Sequence, residues 1–149
     1  MAKVTVYTDG GASGNPGPGG YGIVLLYKDN RKELSQGYNL TTNNRMELLA
    51  VIKALEALNN NKIDITIYSD SKYVVESVER GWIWNWEKVN FKKKQNSDLW
   101  KKFIPLYKKF KVKFEWVKGH SGNIENERCD ELANTAQERE LLTDEGYSK

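Results

Sequence analysis

Apolar and polar residues alternate over residues 3–9, a period-two pattern that predicts a β-strand. Apolar and branched residues run together over 21–27, which predicts a buried second strand, and a weaker third strand is predicted over 33–40. We expect these three strands to form an antiparallel meander. Residues 10–20 hold six glycines and two prolines, a composition typical of a loop.

The next part of the chain alternates between helical and strand patterns. Residues 44–58 are apolar around much of the helix circumference, which predicts a helix largely buried against a sheet. Isoleucines at every second position over 63–67 predict a fourth strand, residues 71–78 a second helix, and residues 112–117 a fifth strand. Strands separated by helices imply parallel pairing, so this part favours a mixed α/β fold.

Two more helices are predicted in the C-terminal half. Residues 97–110 carry apolar side chains at helical spacing after Ser97, a suitable N-cap, and Pro105 should kink or split this helix. Residues 125–138 form an amphipathic pattern, and the tail after about residue 142 is expected to be loose. The length of 149 residues suits a single domain over residues 1–149.

Composition excludes several classes of protein and site. Hydrophobic residues at 39% and aromatic residues at 11% are too frequent for a disordered chain, and no apolar run approaches the ~18 residues of a membrane span. One Cys and one His exclude an internal disulfide, a multi-Cys metal cage and the two-His zinc motifs. The first residues lack the apolar core of a secretory signal. We therefore expect a cytoplasmic protein without a membrane partner.

The formal net charge of +3 conceals an uneven distribution. Residues 80–118 contain 12 Lys or Arg and 3 Asp or Glu, a net charge of +9. Residues 1–79 carry a net charge of −1 (8 basic, 9 acidic) and residues 119–149 one of −5 (3 basic, 8 acidic). The basic block indicates either a polyanion partner or a solvated Lys-rich surface, and charge alone does not choose between them.

Four carboxylates stand at the ends of predicted elements. Asp9 ends the first strand and Asp70 follows the fourth, so parallel pairing would place both at the edge where α/β sheets usually bind ligands. Glu47 lies near the start of its helix and Asp130 lies early in the last helix. All four could therefore converge on one rim of the sheet.

Each carboxylate also has a simple structural interpretation. Asp9 favours the turn that follows it, Glu47 completes a variant of the capping box, Asp70 is a suitable N-cap, and Asp130 could be a solvated helix charge. Taken together, however, four clustered carboxylates would raise one another's pKa unless a cation neutralised them. Oxygen ligands without His or Cys suit Mg²⁺ or Mn²⁺, and two such ions would support displacement at a phosphodiester.

The single histidine, His120, stands between glycines in a predicted loop. An unperturbed imidazole titrates near pH ~6.5, which suits proton transfer, although a lone loop histidine is more often incidental. A Ser-His-Asp triad with Ser121 or Ser69 is the competing interpretation. Neither serine lies in a Gly-x-Ser-x-Gly elbow, which argues against it.

Several long motifs closely resemble type 1 ribonuclease H of the bacterial kind. They occur in order over roughly residues 3–147 and comprise Tyr7-Thr8-Asp9-Gly10-Gly11, Gly14-Asn15-Pro16-Gly17-Pro18-Gly19-Gly20-Tyr21-Gly22, Thr42-Asn43-Asn44-Arg45-Met46-Glu47-Leu48, Ser69-Asp70-Ser71, Trp116-Val117-Lys118-Gly119-His120-Ser121-Gly122 and Asn126-Glu127-Arg128-Cys129-Asp130-Glu131-Leu132-Ala133. The resemblance implies a ribonuclease H-like α/β fold with a five-stranded mixed sheet, order 3-2-1-4-5, and helices on both faces.

The resemblance also implies an activity and its residues. The activity would be endonucleolytic hydrolysis of the RNA strand of RNA–DNA hybrids, with 3′-hydroxyl and 5′-phosphate products, by a monomer without an obligate protein partner. Two Mg²⁺ ions, with Mn²⁺ able to substitute, would be held by the four carboxylates, and His120 would assist proton transfer. The implied substrate contacts are Gly10, Asn15, Asn43 and Asn44 on the RNA strand, Thr42 on a DNA phosphate, and Trp82, Lys92, Lys93 and Lys94 in a basic handle over about residues 81–97.

Two departures from the family pattern affect these expectations. The segment between Trp86 and Leu99 is shorter than in well-known bacterial members, which affects the handle contacts. Lys72 stands where the family has an uncharged amide, so it either adds a phosphate contact or crowds the site. Two other functions stay open at this point, a DNA nuclease of the same fold and a non-catalytic hybrid-binding module.

Overall fold

The structure is a computed structural model that describes residues 2–58, 63–119 and 122–147. Its centre is a six-stranded mixed sheet with the order β5-β4-β1-β2-β3-β6. Across the described ranges, no helix is both long and apolar enough to cross a membrane. The strands are β1 (Ala2–Ala12), β2 (Gly17–Tyr27), β3 (Asn30–Thr41), β4 (Ile63–Ser69), β5 (Lys111–Trp116) and β6 (Leu141–Leu142).

Strand pairing follows the order of elements along the chain. β1, β2 and β3 form an antiparallel meander, whereas β4 pairs in parallel with β1 and with β5. The predicted order of the first five strands is confirmed. The short strand β6 was not predicted, and it pairs in parallel with β3 at Gly37 and Tyr38. Two residues give too little hydrophobic pattern to reveal a strand.

Five helices lie among the described residues and flank the sheet, and they pack against it or against one another through their apolar side chains. α1 packs against β1 and β2 on one face, with α4 beside it, whereas α5 packs against β1, β2 and β3 on the other. Val6, Ile23 and Ile67 are fully buried in the core. The helices are α1 (Asn43–Glu56), α2 (Lys72–Glu79), α3 (Trp82–Lys88), α4 (Ser97–Lys109) and α5 (Ile124–Ala136).

The helix ends differ from the predicted caps. Thr42 and Ser71 cap α1 and α2, because their side-chain oxygens accept hydrogen bonds from the backbone N–H groups of Arg45 and Val74. Glu47 and Asp70 are therefore not needed as capping residues. α4 runs without a break through the exposed Pro105, so the helix is not split there, and the expected alternative of a kink stays a prediction.

The glycine-rich segment is mostly strand rather than loop. β1 continues to Ala12 and β2 begins at Gly17, which leaves a turn of four residues. A Cβ on Gly10 would lie 2.5 Å from the backbone carbon of Met46 in α1. A Cβ on Gly22 would lie 2.2 Å from the carbonyl oxygen of Cys129 in α5. Glycine is required here because two helices approach the sheet closely from opposite faces.

The tail beyond Leu142 also departs from expectation as far as Tyr147. Asp144 is buried and accepts hydrogen bonds from Thr41 and Arg45, which fixes the segment against α1. A buried ion pair formed by residues distant in sequence leaves no periodic signal, so hydrophobic patterning did not detect it.

Candidate active site

Two of the predicted site carboxylates lie side by side at one edge of the sheet. In the parallel register of β1 and β4, Thr8 is opposite Ser69, so Asp9 and Asp70 come next on neighbouring strands. Asp9 is still within β1, and Asp70 follows the last residue of β4. This is the carboxyl end of the parallel strands, as the sequence predicted.

The third carboxylate reaches the same place from a helix. Glu47 is the fifth residue of α1, whose backbone passes close to Gly10, the residue after Asp9. Oxygen atoms of Asp9, Glu47 and Asp70 all lie within 4.8 Å of one another. Asp9 and Glu47 are buried, and Asp70 is half-buried. A close approach at glycine therefore brings carboxylates from three elements together.

Burial and mutual repulsion make this cluster electrostatically unfavourable by itself. Burial raises the pKa of Asp9 to about 8, and the charges of Asp70 and Asp130 act in the same direction. Burial raises the pKa of Glu47 as well, with further contributions from the charges of Asp9 and Asp70. A bound cation would reverse both effects because it stabilises the ionised carboxylates.

The donor set fits a metal ion of the hard, oxygen-binding kind. Glu47 Oε1 is buried and has no hydrogen-bond partner among the described residues, a costly state that a cation would relieve. The cluster of Asp9, Glu47 and Asp70 contains neither His nor Cys, and carboxylate oxygens are the ligands preferred by Mg²⁺ and Mn²⁺. These three carboxylates could therefore bind a divalent metal.

The fourth predicted ligand, Asp130, lies beside the cluster rather than within its tightest part. It projects from α5, and its charge raises the pKa of Asp9. It also accepts a hydrogen bond of 3.3 Å from Asn134 one turn later. Asp130 is therefore close enough to Asp9 to influence it electrostatically, and its role as a metal ligand stays a prediction.

A polar cavity of about 530 Å³ adjoins the start of α1. Asn15 Oδ1 accepts a hydrogen bond from the backbone N–H of Asn43, and Asn43 Oδ1 accepts one from the backbone N–H of Ala12. These bonds fix the orientation of both side-chain amides. Sequence reasoning selected only part of the lining, which consists of Asn15, Thr42, Asn43, Asn44, Arg45, Gln95, Asn96, Ser97, Asp98, Gly146 and Tyr147.

Comparison with known proteins places this arrangement in a family. The RNase H family model matches residues 1–138. The chain belongs to the RNase H family. Ribonuclease H of Trichodesmium erythraeum (strain IMS101) is 54% identical over 151 residues, which cover 97% of this chain and 96% of that protein. The resemblance to type 1 ribonuclease H is thereby confirmed.

Solved structures of RNase H proteins agree with the fold described above. LC9-RNase H1, a type 1 RNase H with the type 2 active-site motif, superposes with a TM-score of 0.83 at 30% identity, covering 93% of this chain and 73% of that one. LC11-RNase H1 in complex with an RNA/DNA hybrid gives a TM-score of 0.68 at 28% identity, covering 91% and 96%. The expected ribonuclease H-like fold is therefore confirmed.

The segment predicted as a basic handle contains α3 and the turns that follow it. Trp82 is 40% exposed and lies 5.8 Å from the Arg80 guanidinium, measured to the ring centre. Trp84 and Trp86 are half-buried and pack against aromatic side chains of α4. Trp82 is thus the tryptophan of the three that is available to a partner. The side chains over residues 92–94 are exposed lysines.

One predicted residue of the RNase H site lies outside the described part of the chain, and two residues that precede it in sequence lie inside it. His120 lies outside the described residues, so its role stays a prediction. The neighbouring Gly119 is described and passes close to Asp70, because a Cβ there would lie 2.7 Å from Asp70 Oδ2. Trp116 was not selected from the sequence, yet its Nε1–H donates a hydrogen bond of 3.2 Å to the backbone oxygen of Asp70. This hydrogen bond joins the end of β5 to the residue after β4, so no local sequence pattern indicates it.

Proposed function

We propose that this protein is an endonuclease that hydrolyses the RNA strand of RNA–DNA hybrids and leaves 3′-hydroxyl and 5′-phosphate ends. The convergence of Asp9, Glu47 and Asp70 within 4.8 Å supports the proposal most directly. Membership of the RNase H family and the likeness to a relative solved with an RNA/DNA hybrid supply the substrate class. The enzyme acts as a monomer in the cytoplasm.

The cofactor in this proposal is Mg²⁺, with two ions per site and Mn²⁺ able to substitute. Asp9, Glu47 and Asp70 hold the metal, and Asp130 completes the ligand set from α5. Bound Mg²⁺ supplies Lewis-acid stabilisation of the phosphate and a lowered pKa for attacking water. With the cation bound, the buried carboxylates would be ionised and held at fixed positions, so little reorganisation would be needed during the reaction. His120 assists proton transfer at the leaving oxygen.

Recognition of the hybrid uses groups that surround the carboxylates. Asn15 and Asn43 accept backbone hydrogen bonds through their oxygens, which directs their NH₂ groups toward partners outside the protein. Such donors suit the 2′-hydroxyl and base acceptors of the RNA strand in the minor groove. Gly10 and Asn44 belong to the same RNA-facing edge, and Thr42 contacts a DNA phosphate.

The basic handle supplies affinity for the DNA strand. The exposed ring of Trp82 contacts the sugar-phosphate edge, and the three lysines over residues 92–94 act as point charges on phosphates. This assignment gives the +9 block a partner and distinguishes it from a solvated surface. Positive charge on this side also offsets the repulsion that the carboxylates exert on a polyanion.

The decisive experiment compares cleavage of four end-labelled substrates, an RNA–DNA hybrid, an RNA duplex, a DNA duplex and single-stranded RNA. Each is tested with Mg²⁺, with Mn²⁺ and with a chelator. Asp9→Asn is the inactive variant, and Asp29→Asn, which removes an exposed carboxylate in the turn after β2, is the matched control. We expect cleavage of the hybrid's RNA strand alone, lost in Asp9→Asn and retained in the control.

Other outcomes select the alternative functions. Tight hybrid binding without cleavage by the wild-type protein would indicate a non-catalytic binding module. Cleavage of the DNA duplex would indicate a nuclease of the same fold with a different substrate. Full activity of Asp9→Asn would remove the carboxylate cluster from the mechanism.

A further inference from the structure

Beside the carboxylate cluster, an exposed lysine lies over an exposed tryptophan ring. Lys72 Nζ lies 5.1 Å from the centre of the Trp116 ring, which is consistent with a cation–π contact. Trp116 is 45% exposed, and its Nε1–H donates to the backbone oxygen of Asp70. The tryptophan therefore contacts the residue that bears a site carboxylate and, at the same time, positions the lysine.

The location of Lys72 is unfavourable for helix stability. It is the first residue of α2, where the N-terminal end of the helix dipole is positive and disfavours a cation. Within the residues that the structure describes, no carboxylate lies within 4.0 Å of the Lys72 ammonium. An ammonium held at this position by an aromatic ring, and not by an ion pair, is available to an anion from outside the protein.

We infer that Lys72, held by Trp116, binds a phosphate of the strand that is cut, next to the scissile phosphate. The inference rests on the proposed function and adds a residue that sets affinity for that strand. Asp70 belongs to the carboxylate cluster, and Lys72 follows it by two residues at the same sheet edge. The positive charge of Lys72 would attract a phosphate bound there and so counteract the repulsion from the carboxylates. The handle lysines, by contrast, are assigned to the other strand.

The test uses variants of Lys72 and a matched lysine far from the site. Lys72→Gln introduces an uncharged amide, Lys72→Arg keeps the charge, and Lys32→Gln removes an exposed lysine on β3. We expect Lys72→Gln to raise KM for the hybrid about fivefold with little change in kcat. It should also reduce the slope of log affinity against log salt by about one. Lys72→Arg and Lys32→Gln should behave like the wild type.

Uncharged linkages in the substrate locate the phosphate. A series of hybrids is made, and each hybrid carries a single methylphosphonate at a different position near the cleavage site, in the RNA strand or in the DNA strand. In the RNA strand, a 2′-O-methyl ribose protects the modified linkage. At one position of the RNA strand, the methylphosphonate should weaken binding to the wild type. At that same position it should not weaken binding to Lys72→Gln any further. Binding is also measured by fluorescence anisotropy in an Asp9→Asn background, so the inference is tested even where the wild type fails to cleave.

Three results would overturn the inference and leave the proposed function intact. Lys72→Gln could match the wild type in KM and in salt slope, which would show that Lys72 is a solvated side chain without a contact to the substrate. Lys72→Arg could fail as badly as Lys72→Gln, which would exclude charge as the cause. The effect of Lys72→Gln could depend only on methylphosphonates in the DNA strand, which would show that Lys72 contacts the DNA strand and not the strand that is cut.

Discussion

The buried ion pair between Arg45 and Asp144 gives a quantitative test of the packing. Arg45 is 2% exposed and Asp144 is 8% exposed, and their atoms Nε and Oδ2 are 2.7 Å apart. Asp144 also accepts from Arg45 Nη2 at 3.0 Å and from the Thr41 hydroxyl at 2.7 Å. We therefore expect Asp144→Asn, which keeps the shape and removes the charge, to destabilise the protein.

The magnitude follows from what the substitution leaves behind. Removing one partner of a buried ion pair costs about 3–5 kcal/mol, because the other charge stays buried and unpaired. Here Arg45 keeps two hydrogen bonds to Asp98, of 2.9 and 2.7 Å, although the Asp98 side chain is 37% exposed and partly screened. We therefore expect a loss of about 2–3 kcal/mol. For a domain of this size the midpoint of thermal unfolding should fall by about 4–12 °C.

Thermal and urea unfolding measure this loss directly. Glu145→Gln removes a charge from the adjacent exposed residue and serves as the control, with an expected change below about 0.5 kcal/mol. The m-value should stay constant, because the folded state remains compact. A loss below about 0.5 kcal/mol for Asp144→Asn would refute the reasoning that the C-terminal segment is held by a desolvated ion pair.

The remaining predictions concern the glycine contact, the site charges, a surface ion network and the handle. Gly10→Ala should lower the free energy of unfolding by about 3 kcal/mol and reduce activity, because its Cβ would lie 2.5 Å from the α1 backbone. Urea unfolding and cleavage assays measure both effects, and Gly11→Ala, whose Cβ would have its nearest contact at 3.6 Å, is the control. In chelator at pH 7, Asp9→Asn should raise the unfolding free energy by about 1–3 kcal/mol, since the desolvated wild-type carboxyl must take up a proton on folding and the amide need not. The pKa of Asp9 is raised to about 8, so metal-free wild type should lose stability as pH rises from about 4 to 8, and a flat urea profile would contradict this. Hydrogen bonds from two arginines lower the pKa of Glu33 to about 2. The stabilisation that ionised Glu33 gives is therefore present above about pH 4.5 and lost as pH falls toward 2. Glu33→Gln should make the free energy of unfolding, measured by urea, less dependent on pH between those values. Alanine at all three positions 92–94 should weaken hybrid binding and reduce its salt dependence, whereas an unchanged salt slope would identify those lysines as merely solvated.

Much of the fold and the positions of Asp9 and Asp70 could be predicted because both depend on local patterns. Alternating isoleucines place β4, and the broad apolar face of α1 places that helix against the sheet. Parallel pairing then puts Asp9 and Asp70 at one edge whatever the details of packing. Those inferences needed the order of elements and the ends of strands, and both can be derived from sequence.

What escaped prediction depends on contacts between residues distant in the chain. The glycines of β1 and β2 suggested a loop, because a strand that two helices approach closely has the same composition as a turn. Arg45 and Asp144 are 99 residues apart, and neither gives a signal by itself. The contact between Trp116 and Asp70 arises where β5 meets the end of β4, beyond the reach of any local pattern.

The uneven charge of the chain and the desolvated carboxylates have a joint consequence for binding. Without a cation, Asp9 and Glu47 are buried next to Asp70 with raised pKa values, and any charge they carry repels a phosphate. In the proposed function the basic block of +9 attracts the duplex to the handle, which offsets the repulsion overall but leaves it in place at the carboxylates themselves. A divalent cation held by the cluster would cancel it and satisfy the unpaired oxygen of Glu47. Hybrid affinity should therefore rise when Mg²⁺ is added to a cleavage-resistant hybrid, and the gain should be lost in Asp70→Asn because the metal is held less tightly there.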